Sequence, residues 1–193
     1  MRMNNVGDFL VMFAGVGGLL WLMPTVLLVS FLVIYVVGDV RGRREGRRDP
    51  LLGAKVFVTL LATVGLQTTL AGTATLLGEF FEDGDYGEAL KNAGALILGG
   101  GIVTTYASMG YYSRLRLYGT HRVLKQAVGL NAIVTGLVFA FSLTAALHIW
   151  LNGRGGLGYP LSFTVVYLTA NFACAVPLLT APAVEFDEDR ELK

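Results

Sequence analysis

The stretch LLGAKVFVTLLATVGLQTTLAGTATLLG, residues 51–78, contains a single charged side chain, Lys55, close to its beginning. About 20 apolar residues in a helix are enough to cross the hydrocarbon core of a bilayer. The stretch is longer than that, and it lacks the short alternating segments that are typical of membrane barrels. It therefore predicts a transmembrane helix.

Other apolar runs lie on both sides of this stretch, and the composition of the whole chain agrees with them. Of the 193 residues, 54% are hydrophobic and only 15% are charged, whereas soluble domains carry about 25% charged residues. A soluble chain of this size could not hide so much apolar surface. The sequence therefore predicts an all-α integral membrane protein with one domain over residues 1–193, a bundle of five transmembrane helices at 9–37, 51–78, 89–110, 127–151 and 161–184.

The first run contains Pro24 near its middle, which removes one backbone donor. Two alternatives are open: one kinked helix over 9–37, or an interfacial helix followed by a span that begins at Pro24. Gly15, Gly17 and Gly18 weaken a continuous helix in the first half of the run. The pattern therefore slightly favours the broken helix.

The stretch RGRREGRRD, residues 41–49, places five arginines between the first two predicted spans. Short cytoplasmic loops collect Lys and Arg, and the opposite side of the predicted bundle keeps only Arg2, Lys91 and Arg154 of the chain's 15 Lys and Arg residues. This bias predicts a plasma or inner membrane, with the N-terminus outside and the C-terminus cytoplasmic. No aromatic residue interleaves the arginines, so we expect contact with anionic lipids or an acidic partner and not with nucleic acid. The residues concerned are Arg41, Arg43, Arg44, Arg47 and Arg48.

Polar side chains recur every four residues in the second run, which places them along one stripe of a helix. Such a stripe has two interpretations: it lines a polar path, or it forms hydrogen bonds between helices. Asparagines in the fourth and fifth runs are further amides that need partners inside a membrane. The residues predicted to line a pore or polar cavity are Lys55, Thr59, Thr63, Gln67, Asn131 and Asn171.

Small residues also follow a regular spacing in the second and third runs. Gly65 and Gly72 lie two turns apart, and Gly94, Gly101 and Ser108 are spaced by seven. Small residues let helix backbones approach closely. These five positions predict helix packing within the subunit, between subunits, or both, in a homo-oligomer or a larger membrane complex.

The sequence has no motif that points to catalysis. It contains no Cys and His cluster with metal spacing, no P-loop, no nucleophile elbow and no H-E-x-x-H, so we expect no cofactor, no metal and no enzyme. The leading expectation is a pore or transport path for ions or small solutes between subunits, lined by the second helix. A non-catalytic accessory or scaffold subunit is the alternative. A lipid-modifying enzyme that uses loop-edge residues such as Glu79 and His148 comes third.

Overall fold

The computed structural model describes residues 18–44, 50–82, 86–110, 121–153 and 155–180. Within these ranges the chain forms five α-helices, and each is long and apolar enough to cross a membrane. The helices are α1 (Gly18–Arg44), α2 (Leu52–Phe81), α3 (Tyr86–Gly110), α4 (His121–Leu151) and α5 (Gly158–Thr180). The prediction of an all-helical chain with five candidate spans is therefore confirmed for the described residues.

The break favoured at Pro24 is wrong for the residues that the structure describes. Helix α1 begins at Gly18, six positions before the proline, and continues through it to Arg44. A proline inside a helix removes only one hydrogen bond, and neighbouring groups can compensate for it in an apolar helix. The part of the predicted first span before Gly18 lies outside the described residues.

Helix α2 is the centre of the bundle. It contains 30 residues and is therefore about 45 Å long. It contacts each of the other four helices, while α4 and α5 form a second close pair and α1 also touches α4. In the described part of the chain, α3 contacts α2 alone.

The bundle is apolar on its outside and partly polar on its inside. Large apolar side chains are exposed along the outward faces, for example Leu28 and Leu32 on α1 and Leu98 and Ile102 on α3. Several of the buried side chains are polar instead, among them Gln67. This distribution is the reverse of that in a water-soluble domain.

Two apolar clusters lie at different levels of the bundle. The first joins α1, α2 and α4, and the second joins α2, α4 and α5. On α2 they are represented by Val56 and Ala74, so the stretch between these two residues separates the clusters. The polar residues of α2 lie mainly in this stretch, at Thr59, Thr63 and Gln67.

Candidate functional site

Asn131 of α4 is the centre of a buried hydrogen-bond network. Its Nδ2 donates to Thr63 Oγ1 at 3.0 Å and to the Ala127 carbonyl, one turn earlier on its own helix, also at 3.0 Å. Its Oδ1 accepts a hydrogen bond from Gln67 Nε2 at 3.0 Å. Because Thr63 and Gln67 lie one turn apart on α2, a single asparagine is bonded to two successive turns of the neighbouring helix.

The network continues from α4 to α5 through Thr135. Thr135 Oγ1 donates to the Asn131 carbonyl at 2.8 Å and accepts from Asn171 Nδ2 at 3.2 Å. Asn171 Nδ2 also donates to the Ala132 carbonyl at 2.6 Å. Gly136 makes this approach possible, since a Cβ there would lie 3.0 Å from Asn171 Nδ2. We call this three-helix network the polar seam; its members are Thr63, Gln67, Asn131, Thr135 and Asn171.

The polar stripe of α2 continues from the seam toward the start of that helix. Thr59 is buried, and its Oγ1 donates to the Lys55 carbonyl at 2.6 Å. The Lys55 side chain is completely buried as well. All four residues of the predicted stripe therefore face the inside of the subunit.

Further buried polar groups lie beyond the seam, toward the ends of α4 and α5 that meet at their connecting turn. Thr164 of α5 donates to Ser142 of α4, with the two Oγ atoms 3.2 Å apart. Ser162 is completely buried and donates to the Gly158 carbonyl at 2.7 Å. Buried polar side chains thus extend from the first turn of α2 to the first turns of α5.

The structure brings together most of the residues predicted to line a polar path. Thr63, Gln67 and Asn131 bond directly, and Asn171 joins them through a residue that was not predicted to belong to the site, Thr135. The signal for Thr135 was its spacing of one turn from Asn131. Five of the six predicted residues are buried within the subunit, and Asn171 is half-buried, so a path along them would run within one chain.

Three buried polar atoms have no hydrogen-bond partner among the described residues, and the third of them is Glu82 Oε1 at the end of α2. Gln67 Oε1 is the first, on a side chain that is 3% exposed. The second is the hydroxyl of Tyr167, a residue that is completely buried and stacks on Phe163. An unpaired buried polar group costs about 1–3 kcal/mol, so each of these atoms calls for a physical explanation.

The predicted packing glycines fall into two groups. A Cβ built at Gly65 would lie 2.8 Å from the Gly100 carbonyl oxygen, and one at Gly72 would lie 2.8 Å from Leu96 Cβ, so both glycines allow α2 and α3 to touch. Gly94 and Gly101 have no atom of another helix within 4 Å of a built Cβ. A role of these two glycines, and of Ser108 in the same row, between subunits stays a prediction.

The predicted lipid-contact arginines lie partly in a helix. Arg41, Arg43 and Arg44 form the last turn of α1, while Arg47 and Arg48 lie outside the described residues. Arg43 forms an ion pair with Asp39, in which Nη2 and Oδ2 are 2.6 Å apart. Their contact with anionic lipid stays a prediction.

The end of α2 meets the beginning of α5 at an acidic side chain, Glu82. Burial raises the pKa of the Glu82 carboxyl, the neighbouring Glu79 carboxylate raises it further, and a hydrogen bond from the Gly158 backbone N–H lowers it. A Cβ at Gly158 would lie 2.8 Å from Glu82 Cγ, so only glycine allows this approach. His148, which we considered together with Glu79 for catalysis, is exposed and lies against Asn152.

Among the residues that the structure describes, no group of three or more His, Cys, Asp or Glu side chains could hold a metal ion. In the comparisons with known proteins, no family model matches the sequence, and neither a curated protein nor a solved structure is significantly similar to it. What the polar seam can do must therefore be inferred from its own geometry.

Proposed function

We propose that this chain is an integral membrane protein with five spans and that its polar seam belongs to a transport path for protons or small polar solutes. The path runs through the interior of one subunit. One observation carries the proposal: nine described polar side chains are buried inside a bundle whose outward faces are apolar. Polar residues inside membrane bundles commonly mark solute pathways.

The hydrogen bonds of the seam limit what such a path could carry. Gln67 and Asn131 are in direct contact at 3.0 Å, so the path is closed at this level and opens only when α2 and α4 move apart. The seam itself offers amides and hydroxyls, with no carboxylate to relay protons or hold a cation. Its chemistry suits water, protons carried on water, or small neutral solutes that exchange hydrogen bonds with amides.

A flux assay on the purified protein tests the proposal. We expect liposomes containing the protein alone to dissipate a proton gradient or to pass a small polar solute faster than empty liposomes. Gln67→Leu should reduce this flux about tenfold or more, because a solute that passes the opened narrow point then loses about 1–3 kcal/mol of hydrogen bonding to the Gln67 amide. Thr73→Val is the matched control, since Thr73 is exposed and bonds only to its own helix. Equal flux through the Gln67→Leu variant and the wild type would contradict the proposal.

The second candidate is a non-catalytic accessory or scaffold subunit of a membrane complex. The specific observation in its favour is that the amides of the seam bond to neighbouring helices, which is sufficient for a purely structural role. The large exposed apolar faces of α1 and α3 leave room for other subunits. Liposomes that show no flux above that of empty liposomes, together with a partner that copurifies in fixed proportion, would favour this candidate.

The orientation in the membrane is part of the same proposal and has its own test. The arginines at the end of α1 support a cytoplasmic position for that end, with the N-terminus outside. In a Cys174→Ala background, we expect cysteines introduced at Arg44 and Asp83 to react with a membrane-impermeant reagent from opposite faces of a sealed vesicle. Labelling of both from the same face would overturn the orientation and the five-span topology.

A further inference from the structure

The Glu82 side chain lies against the turn that leads into α5. A Cβ built at Gly158 would lie 2.8 Å from Glu82 Cγ, and one built at Gly156 would lie 3.8 Å from Glu82 Oε1. The backbone N–H of Gly158 is hydrogen-bonded to the carboxyl, whereas Oε1 is buried and has no partner among the described residues. One oxygen of this carboxyl has therefore lost water without gaining a donor, which costs more for the ionised form than for the neutral form.

The charges of α2 also oppose an ionised Glu82. Glu79 precedes it by one turn, and like charges at this spacing repel each other. The C-terminal end of a helix carries partial negative charge, and the last turn of α2 contains no basic residue that could offset it. These effects follow from the position of Glu82 at the end of the helix, and like the burial of its carboxyl they favour the protonated form.

Other titratable side chains at this end of the described bundle belong to α4 and α5. Tyr159 of α5 packs against α2, with its Cδ1 2.6 Å from a Cβ built at Gly78. His148, in the last turn of α4, is exposed. The charged residues of the two adjoining turns that lie outside the described residues are Asp83, Asp85 and Arg154. An experiment on Glu82 must therefore separate its proton from those of these groups.

Gly158 connects Glu82 to the buried polar residues of α5. Its N–H meets the Glu82 carboxyl, and its carbonyl accepts a hydrogen bond from Ser162 Oγ at 2.7 Å. Ser162 is completely buried, and Thr164, two positions later, donates to Ser142 of α4. A movement of Gly158 away from α2 would therefore disturb the contact of Ser162 and expose this end of the buried polar residues to water.

We propose that Glu82 is a pH-sensitive switch, whose protonated carboxyl keeps the start of α5 on the end of α2 and whose ionised carboxylate releases it. The raised pKa of Glu82 has the matching sign. The contact is fully stabilised below the ordinary carboxyl pKa and weakens as the pH rises through the raised value. Release uncovers Ser162 and admits water to the buried polar residues, a regulation of the path that rests on the proposed function.

The accessibility of position 162 to a water-soluble thiol reagent tests this switch in nanodiscs. In a Cys174→Ala background, Ser162→Cys places a thiol of similar size at the buried position, and Gly155→Cys in a second protein provides an exposed thiol in the neighbouring turn. The ratio of the two labelling rates corrects for the pH dependence of thiol reactivity. We expect this ratio to rise about two- to tenfold between about pH 4 and about pH 9, the factor that a like-charge neighbour and the negative helix end together account for.

Two variants assign the change to Glu82. Glu82→Gln keeps an uncharged acceptor for the Gly158 N–H, so the ratio should stay at its low value over the whole pH range. Glu79→Gln removes the neighbouring charge and should make the rise smaller. A ratio that is independent of pH in the protein with Glu82 would overturn the switch. A rise that persists unchanged in Glu82→Gln would also overturn it and would assign the titration to another group, such as His148.

A second measurement does not require the cysteine at position 162. Hydrogen exchange of the Leu161 amide, which donates to the Leu157 carbonyl at 3.1 Å, reports the opening of the first turn of α5 in the unmodified chain. After correction for intrinsic exchange, its protection should fall as the pH rises, and Glu82→Gln should abolish this fall; unchanged protection would overturn the switch. A protein that shows this pH dependence but no flux would contradict the transport path and support the switch.

Discussion

The bond between Gln67 and Asn131 allows a quantitative test of how the polar seam stabilises the bundle. The perturbation is a double-mutant cycle made from Gln67→Met, Asn131→Leu and the double variant. Both substitutions replace an amide by an apolar side chain of similar size, so they remove hydrogen bonds with little change in volume. The quantity of interest is the coupling energy, the difference between the double variant and the sum of the single variants.

The expected magnitudes follow from the bonds that each variant breaks. Asn131→Leu removes the hydrogen bonds to Gln67 and Thr63. Gln67 Nε2 then loses its acceptor, and Gln67 Oε1 already has no partner among the described residues. Interhelical hydrogen bonds in membranes contribute about 0.6 kcal/mol on average, and a stranded buried amide costs about 1–3 kcal/mol. We therefore expect Asn131→Leu to destabilise the protein by about 2–4 kcal/mol. In the double variant, position 67 no longer carries an amide that could be left unpaired. Its free energy of unfolding should therefore exceed the value expected from adding the two single effects by at least about 1 kcal/mol.

Reversible unfolding in mixed micelles or bicelles measures these free energies, and the concentration of denaturing detergent at the midpoint provides the comparison between variants. Thr73→Val is the matched control, since Thr73 is exposed and donates to the Thr69 carbonyl of its own helix. This control should change the free energy of unfolding by less than about 0.5 kcal/mol. Additive effects of the two seam variants, within about 0.3 kcal/mol, would refute the idea that a buried bond joins α2 and α4.

Four other substitutions test different parts of the structure by the same unfolding measurement. Gly100→Ala should destabilise the protein by about 1–3 kcal/mol, because its Cβ would lie 2.5 Å from the Gly65 carbonyl oxygen. The Cβ of Gly101→Ala meets no atom within 4 Å, so this variant should be more stable than the wild type by about 0.5–1 kcal/mol. Equal effects of the two variants would show that α2 and α3 do not touch at Gly100. Tyr167→Phe removes a buried unpaired hydroxyl and should be neutral or stabilise by up to about 1 kcal/mol; a large loss of stability would reveal a partner for that hydroxyl. Glu82→Gln keeps an acceptor for the Gly158 N–H and removes a charge whose pKa is raised in the fold. Between the ordinary carboxyl pKa and the raised pKa of Glu82, the folded wild type keeps a proton that the unfolded chain has released. The free energy of unfolding therefore falls as the pH rises through this range. The variant should therefore be the more stable protein at neutral pH, with an advantage that shrinks as the pH is lowered, and a constant difference at all pH values would contradict the raised pKa.

The number and approximate position of the helices could be predicted from the sequence. Long apolar runs leave a chain few alternatives, because every backbone group in lipid must be bonded within its own helix. The predicted second span, 51–78, corresponds to α2 over Leu52–Phe81. The favoured break at Pro24 failed because the missing donor of a proline does not by itself say whether neighbouring groups compensate for it.

The sequence also determined which residues of α2 share a face, since spacing by four is a property of the helix itself. It could not determine what that face meets. Only the packing of α4 against α2 placed Asn131 between Thr63 and Gln67, because hydrogen bonds between residues more than sixty positions apart depend on how helices are arranged around one another. The same packing put the polar face inside one subunit, whereas from the sequence alone we expected this face to line a path between subunits.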